Sequence, residues 1–363
     1  MNNKHKIIAV EEHFMHPTLS NHLGHAAQQP DQIKKRLFDF SDIRIREMDS
    51  AGIDVQILSH QSPGSQRLKN EVAIDACKDV NNALAQVISN HSDRFLGFAM
   101  LPTNLPIDAA SELRRSVEEL GFKGAMIHGL SSGRMVDEKF FWPIFAEAER
   151  LDVPIYLHPA LPDKEVTERY YAPYDASHPM LTRAAWGFGV EAGTQAIRMI
   201  LSGVFDKHPN LKIILGHLGE AIPFWLPRIQ ESLSRTEGQP TNFEDIFKSN
   251  FWITTSGFFS DHALELCVNT LKEDHILFAI DWPYANNETG VLQDMPKIIK
   301  WAKAHNIQVH TDAVQAVGKI NVDFEELGID AMTISSHKIY GPQGAAALIL
   351  NKKIDLYPHL MGG

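Results

Sequence analysis

Eight short apolar runs recur along the chain: KIIAV (6–10), DVQILS (54–59), FLGFAML (95–101), FKGAMI (122–127), VPIYLH (153–158), KIILGH (212–217), FWITTS (251–256) and ILFAID (276–281). Helix-length segments lie between them. Residues 66–90 carry Ala73, Ala76, Val80, Leu84 and Val87 at helical spacing, and residues 194–205 carry Ile197, Ile200, Leu201 and Val204. Strands that are apolar throughout are buried on both faces, which is the signature of a parallel sheet covered by helices. Eight of them alternating with helices over about 280 residues predict an α/β fold, a (β/α)8 TIM-like barrel rather than an open doubly wound sheet.

Turn residues such as His208-Pro209-Asn210 separate helix from strand. Residues 161–187 form a long, aromatic-rich stretch, and loops of that length in a compact barrel are usually lids or binding loops. After Asp281 the pattern changes. Residues 291–306 can supply a last barrel helix despite Pro296, but further strand-like runs follow at 307–314, 331–336 and 346–350. A closed eight-stranded barrel has no place for them. The expected division is therefore a barrel over 1–285 and an α/β appendage over 286–363, the latter packing poorly or exposing apolar surface.

Composition narrows the function. Hydrophobic residues are 44% and charged residues 22% of the chain, and no apolar run approaches the roughly 20 residues of a membrane span. The N-terminal apolar stretch, Ile7 to Val10, is too brief for a signal peptide, so a cytoplasmic location is expected. Cys77 and Cys267 are the only cysteines and sit in apolar, helix-like contexts, which suits buried free thiols. A formal charge of -11 argues against nucleic acid or an anionic membrane as partner. An enzyme acting on a small molecule fits these bounds, and a binding protein fits nearly as well.

Candidate chemistry gathers at strand ends. Glu11 and His13 lie just beyond the first run, two residues apart, so extended geometry points them the same way. His158, His217 and Asp281 end the fifth, sixth and eighth runs. In a barrel all these positions converge on the C-terminal mouth. Imidazoles with carboxylates make a mixed nitrogen and oxygen site for one divalent metal ion, zinc or manganese. A lone strand histidine is more often a hydrogen-bonded packing residue, Glu-x-His is common by chance, and Asp281 before Trp282-Pro283 suits a turn. Five such residues at equivalent positions favour the metal site. His5, His16 and His91 have no comparable placement.

With VEEHF (10–14), YLHP (156–159), the run from Trp186 through GHLGEAIPFWLPRI to 229, and FAIDWPY (278–284), residues 7–283 resemble the amidohydrolase-related decarboxylases. That group includes the γ-resorcylate, 5-carboxyvanillate and aminocarboxymuconate-semialdehyde decarboxylases. The resemblance implies that Glu11, His13, His158 and Asp281 hold the metal, with His217 and Glu220 behind them. It implies decarboxylation of a 2-hydroxybenzoate-type aromatic carboxylate, with Asp281 as proton donor, His217 relaying or orienting that proton, and Arg228 neutralising the acid or bracing Glu220. It also implies a homo-oligomer. A metal-dependent hydrolase is the rival within the family.

A second resemblance begins at residue 286. NNETGVLQ through ISSHKIYGPQGAAALIL looks like an internal fragment of a cysteine desulfurase, a class V aminotransferase-type enzyme of pyridoxal phosphate. It implies Lys338 as the Schiff-base lysine beside His337, with Ser335 on the phosphate. Asp312 would face the pyridinium nitrogen, and Gln315 and Asn287 the cofactor hydroxyl edge. The preceding stretch of such enzymes, with its ring-stacking aromatic residue and phosphate loop, is replaced by the barrel. No cysteine lies in a matching context, so a competent pyridoxal phosphate site is not expected. The join between Asp281 and Asn286 suggests two unrelated genes fused near a short shared stretch, and a non-catalytic fusion product is the third alternative.

Overall fold

A computed structural model of the chain describes residues 6–19, 29–235, 242–284, 299, 303–304, 308–314, 316–317, 322–336 and 345–351. The chain divides into two compact units, Met1–Thr289 and Gly290–Gly363.

In the first unit each predicted run forms a strand: β1 (Ile8–Phe14), β2 (Val55–His60), β3 (Phe95–Gly97) continued by β4 (Ala99–Met100), β5 (Ala125–His128), β6 (Ile155–His158), β7 (Ile213–Leu215), β8 (Phe251–Thr254) and β9 (Ile276–Leu277). Pairing is parallel and sequential, β1 to β3 and then β4 to β9. The ladder changes hands at Phe98, whose N–H donates to the Leu58 carbonyl while Ala99 N–H donates to Gly124. The last strand returns to the first: Val10 N–H donates to the Phe278 carbonyl at 3.1 Å and His13 N–H to that of Trp282 at 2.8 Å. The barrel interior is packed with side chains, as this architecture requires. Val10, Ile57, Phe98, Met126, Tyr156, Ile214 and Ala279 form one buried cluster drawn from all but one of the strand runs.

β1 runs four residues past Val10, so Glu11 and His13 lie within the strand rather than beyond it. Its register against β2 slips between Ala9 and Glu12. This bulge lets neighbouring Val10 and Glu11 both serve the interior, which strict alternation would forbid. Glu12 takes the other side and staples the seam, its carboxylate accepting from the N–H groups of Ile280 at 3.0 Å and Trp282 at 3.3 Å. Arg44 braces the same place, donating to the His13 carbonyl at 2.6 Å and stacking 3.8 Å from the Trp282 ring.

Two predicted helices are shifted. The first is Asn70–Asn90, because turns occupy residues 62–67, and it buries Ala73, Ala76, Cys77, Val80 and Leu84. The second begins at Gly187, seven residues early, and ends at Leu201. Its early turns contain Gly187, Gly189 and Gly193, residues of low helix propensity. They make a close-approach surface: a Cβ on Gly189 would lie 2.7 Å from Glu220 Oε2. The long stretch after β6 is wound into short helical turns, with Tyr170, Tyr174, Met180 and Trp186 exposed and Tyr171 buried. Cys77 and Cys267 are both buried and free.

In the second unit β10 (His310–Asp312) pairs parallel with β11 (Ala331–Ser335), which pairs antiparallel with β12 (Ala346–Leu350). Ile299, Val309, Ala313, Ile329 and Met332 form a small buried cluster. Among the described residues of this unit, Ala346, Ala347 and Leu348 of β12 are exposed. Most of the expected helix over 291–306 lies outside the described residues.

Candidate metal centre

The site is built at the C-terminal ends of β1, β6 and β7 and on the segment after β9. Glu11 is fully buried. Its Oε2 accepts from the Tyr156 hydroxyl and from Thr254 Oγ1 at 3.2 Å. Its Oε1 is buried with no hydrogen-bond partner and faces His158 Nε2 at 3.3 Å. His13 sets Nδ1 against Ser59 Oγ at 3.3 Å and Nε2 against Asp281 Oδ1 at 3.3 Å. One donor atom from each of Glu11, His13 and His158 falls within 4.8 Å of the others.

Tautomers sharpen this geometry. His158 Nδ1 lies 2.7 Å from the Pro159 carbonyl, which can only accept, so Nδ1 carries the proton. With Nδ1 protonated, the nitrogen that remains to face Glu11 Oε1 is Nε2, which in the neutral ring presents a lone pair there. Two acceptors meeting in a buried place need a cation between them. A proton on one imidazole meets one carboxylate oxygen, whereas a divalent ion meets the donor atoms of Glu11, His13 and His158 together. The donor set therefore fits a metal ion.

The loop after β7 supplies the next group. His217, Leu218, Glu220 and Ala221 all have φ between 49° and 64°, a left-handed run that non-glycine residues rarely adopt and that costs free energy. Leu218 is buried beneath it, and His217 N–H is held by Ser256 Oγ at 3.2 Å. The run brings His217 Nδ1 to Glu220 Oε1 at 2.6 Å and leaves Nε2 3.9 Å from Asp281 Oδ2. Gly257 makes room, since a Cβ there would lie 3.2 Å from both Asp281 Oδ2 and His217 Cδ2.

Electrostatics follow from this crowding. Burial alone would raise the Glu11 carboxyl, but His217, His158 and His13 outweigh it and hold the group far below the usual carboxylate range. Asp281 is likewise lowered, hydrogen bonds from His13 and His217 overcoming its burial. His217 is raised well above an ordinary imidazole: burial opposes its charge, while Glu220 and Glu11 favour it.

Glu11, His13, His158, His217, Glu220 and Asp281 are thus brought together. Arg228 is not. It lies exposed on the helix Ile222–Ser234, its guanidinium 5.5 Å from the Trp225 ring, and forms no ion pair with Glu220 among the described residues. Of the tail residues, Asp312 lies in β10 and Ser335 ends β11, while Asn287, Gln315, His337 and Lys338 lie outside the described residues.

Several contributors escaped the sequence analysis. Tyr156 stands two residues before His158 and so shares its face, and Thr254 and Ser256 are spaced the same way. His128 ends β5 and is 2% exposed. The strand-end rule that picked out His158 applies equally to it.

A model of the amidohydrolase family matches residues 12–306. The chain belongs to this family. Among its relatives is the gamma-resorcylate decarboxylase of Rhodococcus jostii, 39% identical over 296 residues, which are 77% of this chain and 88% of that one. The solved dihydroxybenzoic acid decarboxylase of Polaromonas sp., with bound manganese and the inhibitor 2-nitroresorcinol, is 34% identical. It superposes with a TM-score of 0.72 over 84% of this chain and 96% of that one. The C-terminal part of the chain has a separate likeness. A class-V aminotransferase model matches residues 261–363. A cysteine desulfurase of Dictyoglomus turgidum is 45% identical over 93 residues, which are 26% of this chain and 23% of that protein.

Proposed function

We propose that the chain catalyses metal-dependent, non-oxidative decarboxylation of a hydroxylated aromatic acid of the 2-hydroxybenzoate type. The observation that carries the metal is the buried Glu11 Oε1, which accepts no hydrogen bond and faces His158 Nε2 at 3.3 Å. Glu11, His13, His158 and Asp281 would hold one divalent ion, manganese or zinc. When bound, such an ion supplies Lewis acidity and a template for the carboxylate and ortho hydroxyl of the substrate. Kinship with gamma-resorcylate and dihydroxybenzoic acid decarboxylases supports the substrate class.

The protein's own groups account for the proton. Asp281, ionised at rest, takes a proton from the charged His217 and passes it to the ring carbon that bears the carboxylate; the pair of the breaking C–C bond returns to the ring, and CO2 leaves. His217, fixed through Nδ1 by Glu220, stands 3.9 Å from Asp281 Oδ2 and orients or resupplies that proton. Nothing in the described geometry gives Arg228 a place in this step.

Manganese-loaded protein incubated with 2,6-dihydroxybenzoate should release CO2 and resorcinol in equal amounts, and chelated protein should release neither. Hydrolysis of lactones or amides with no CO2 from any ortho-hydroxybenzoate would sink the decarboxylase assignment. A cytoplasmic location and a homo-oligomer belong to the same proposal. Their support is the charge balance, the family kinship, and the finding that among the described residues no helix is long and apolar enough to cross a membrane.

A further inference from the structure

We infer that His128 is a positioning residue for the metal centre, and that its contact with His158 helps fix which nitrogen of His158 faces the metal. The inference rests on the metal site proposed above and concerns residues that no comparison assigns.

The donors and acceptors leave one consistent arrangement. His158 must be protonated at Nδ1, since the Pro159 carbonyl 2.7 Å away can only accept. His128 Nδ1 lies 3.0 Å from that same Nδ1. Two N–H groups cannot point at each other at that distance, so His128 Nδ1 is an acceptor and its proton sits on Nε2. The His60 backbone carbonyl is the acceptor its ring meets.

Strand pairing gives the contact its leverage. His128 and His158 are direct partners in the β5–β6 ladder, with rings crossing edge to face at 4.8 Å. The Pro159 carbonyl belongs to the next residue of the same chain segment and moves with His158. His128 stands on the neighbouring strand and ties the imidazole to the barrel wall. The result is a lone pair on His158 Nε2 held toward Glu11 Oε1. Groups that hold the far nitrogen of a metal-bound histidine typically change metal affinity by about 10–100-fold when removed.

Two measurements test this. Imidazole nitrogen NMR on the metal-free, unmutated chain should find His128 neutral and protonated at Nε2. A His128 protonated at Nδ1, or at both nitrogens, overturns the inference whether or not the protein takes metal. Calorimetric titration with manganese should then show affinity falling about 10–100-fold in His128→Phe, which keeps a ring but no acceptor. His128→Asn, whose side-chain oxygen can occupy the Nδ1 position, should recover most of the loss. Parental affinity in a folded His128→Phe protein overturns the inference, as does an equal loss in both variants, which would mark simple packing. Failure of the unmutated chain to bind manganese would instead count against the metal centre itself and leave the NMR result to decide the tautomers.

Discussion

The barrel and the tail sheet are built from similar apolar strands but use burial differently. In the barrel, Glu11, Glu12, His13, His128 and His158 are all buried, each within reach of other polar groups. The tail's described strands bury only apolar residues at their centre, and their outer strand is exposed. Charged groups are costly to bury, so a fold that concentrates them must recover the cost through pairing or a bound cation. The barrel has this economy and the described tail does not. That contrast places the chemistry in the first unit.

The largest effect should come from Asp281→Asn, which removes the proposed proton donor. The kcat for decarboxylation should fall about 10²–10⁴-fold. A rate within threefold of the parent would remove Asp281 from the step and weaken the contrast at its centre.

Packing gives the next test. Phe247 is fully buried and stacks on Phe251 at 5.1 Å, so Phe247→Ala should cost about 3–5 kcal/mol in chemical denaturation. Leu348 in the tail is 48% exposed, and Leu348→Ala should cost less than about 1 kcal/mol. Equal costs would mean the outer tail strand is covered in solution.

A smaller, pH-dependent effect belongs to Glu191. Burial pushes its carboxyl up to about 6, above the ordinary 4.5. The folded chain therefore holds more protons than the unfolded chain between those values, and stability is lost as pH rises through that window. The change should be on the order of 2 kcal/mol. Melting temperatures across pH 4 to 7, as a rough working range, should show this slope, and Glu191→Gln should flatten it. The carboxamide can still accept from Gln195, which donates to Glu191 at 2.9 Å. A parental slope that survives in Glu191→Gln would reassign it to another group.

The smallest effect should be that of Lys338→Ala. It should leave decarboxylation within about twofold of the parent, because no step of the proposed reaction uses it. An aldimine absorbance in the parent, lost in this variant, would give the tail a chemistry of its own.

Much of this was legible in the sequence because its signals are local. Apolar runs of strand length and helical spacing between them located every barrel strand. Strand-end placement found His158 and His217, and the resemblance at VEEHF and FAIDWPY pointed to the family. The shifted helix start at Gly187 was not legible, because whether a glycine breaks a helix or admits a neighbour depends on what lies across from it, here Glu220. Nor was the setting of Arg228 legible: closeness in sequence to Glu220 does not say which way a helix residue faces, and its guanidinium lies 5.5 Å from the Trp225 ring.

The amino-acid sequence by itself determined the barrel, its metal-binding residue types and the change of character after Asp281, since periodicity and residue chemistry are properties of short segments. Only the tertiary structure decided which atom of Glu11 is left without a partner, which nitrogen of His158 faces it, and that His128 stands behind. Those facts depend on distances between strands far apart in the chain. The bulge in β1, the left-handed turn at His217 and the β5–β6 register set those distances together.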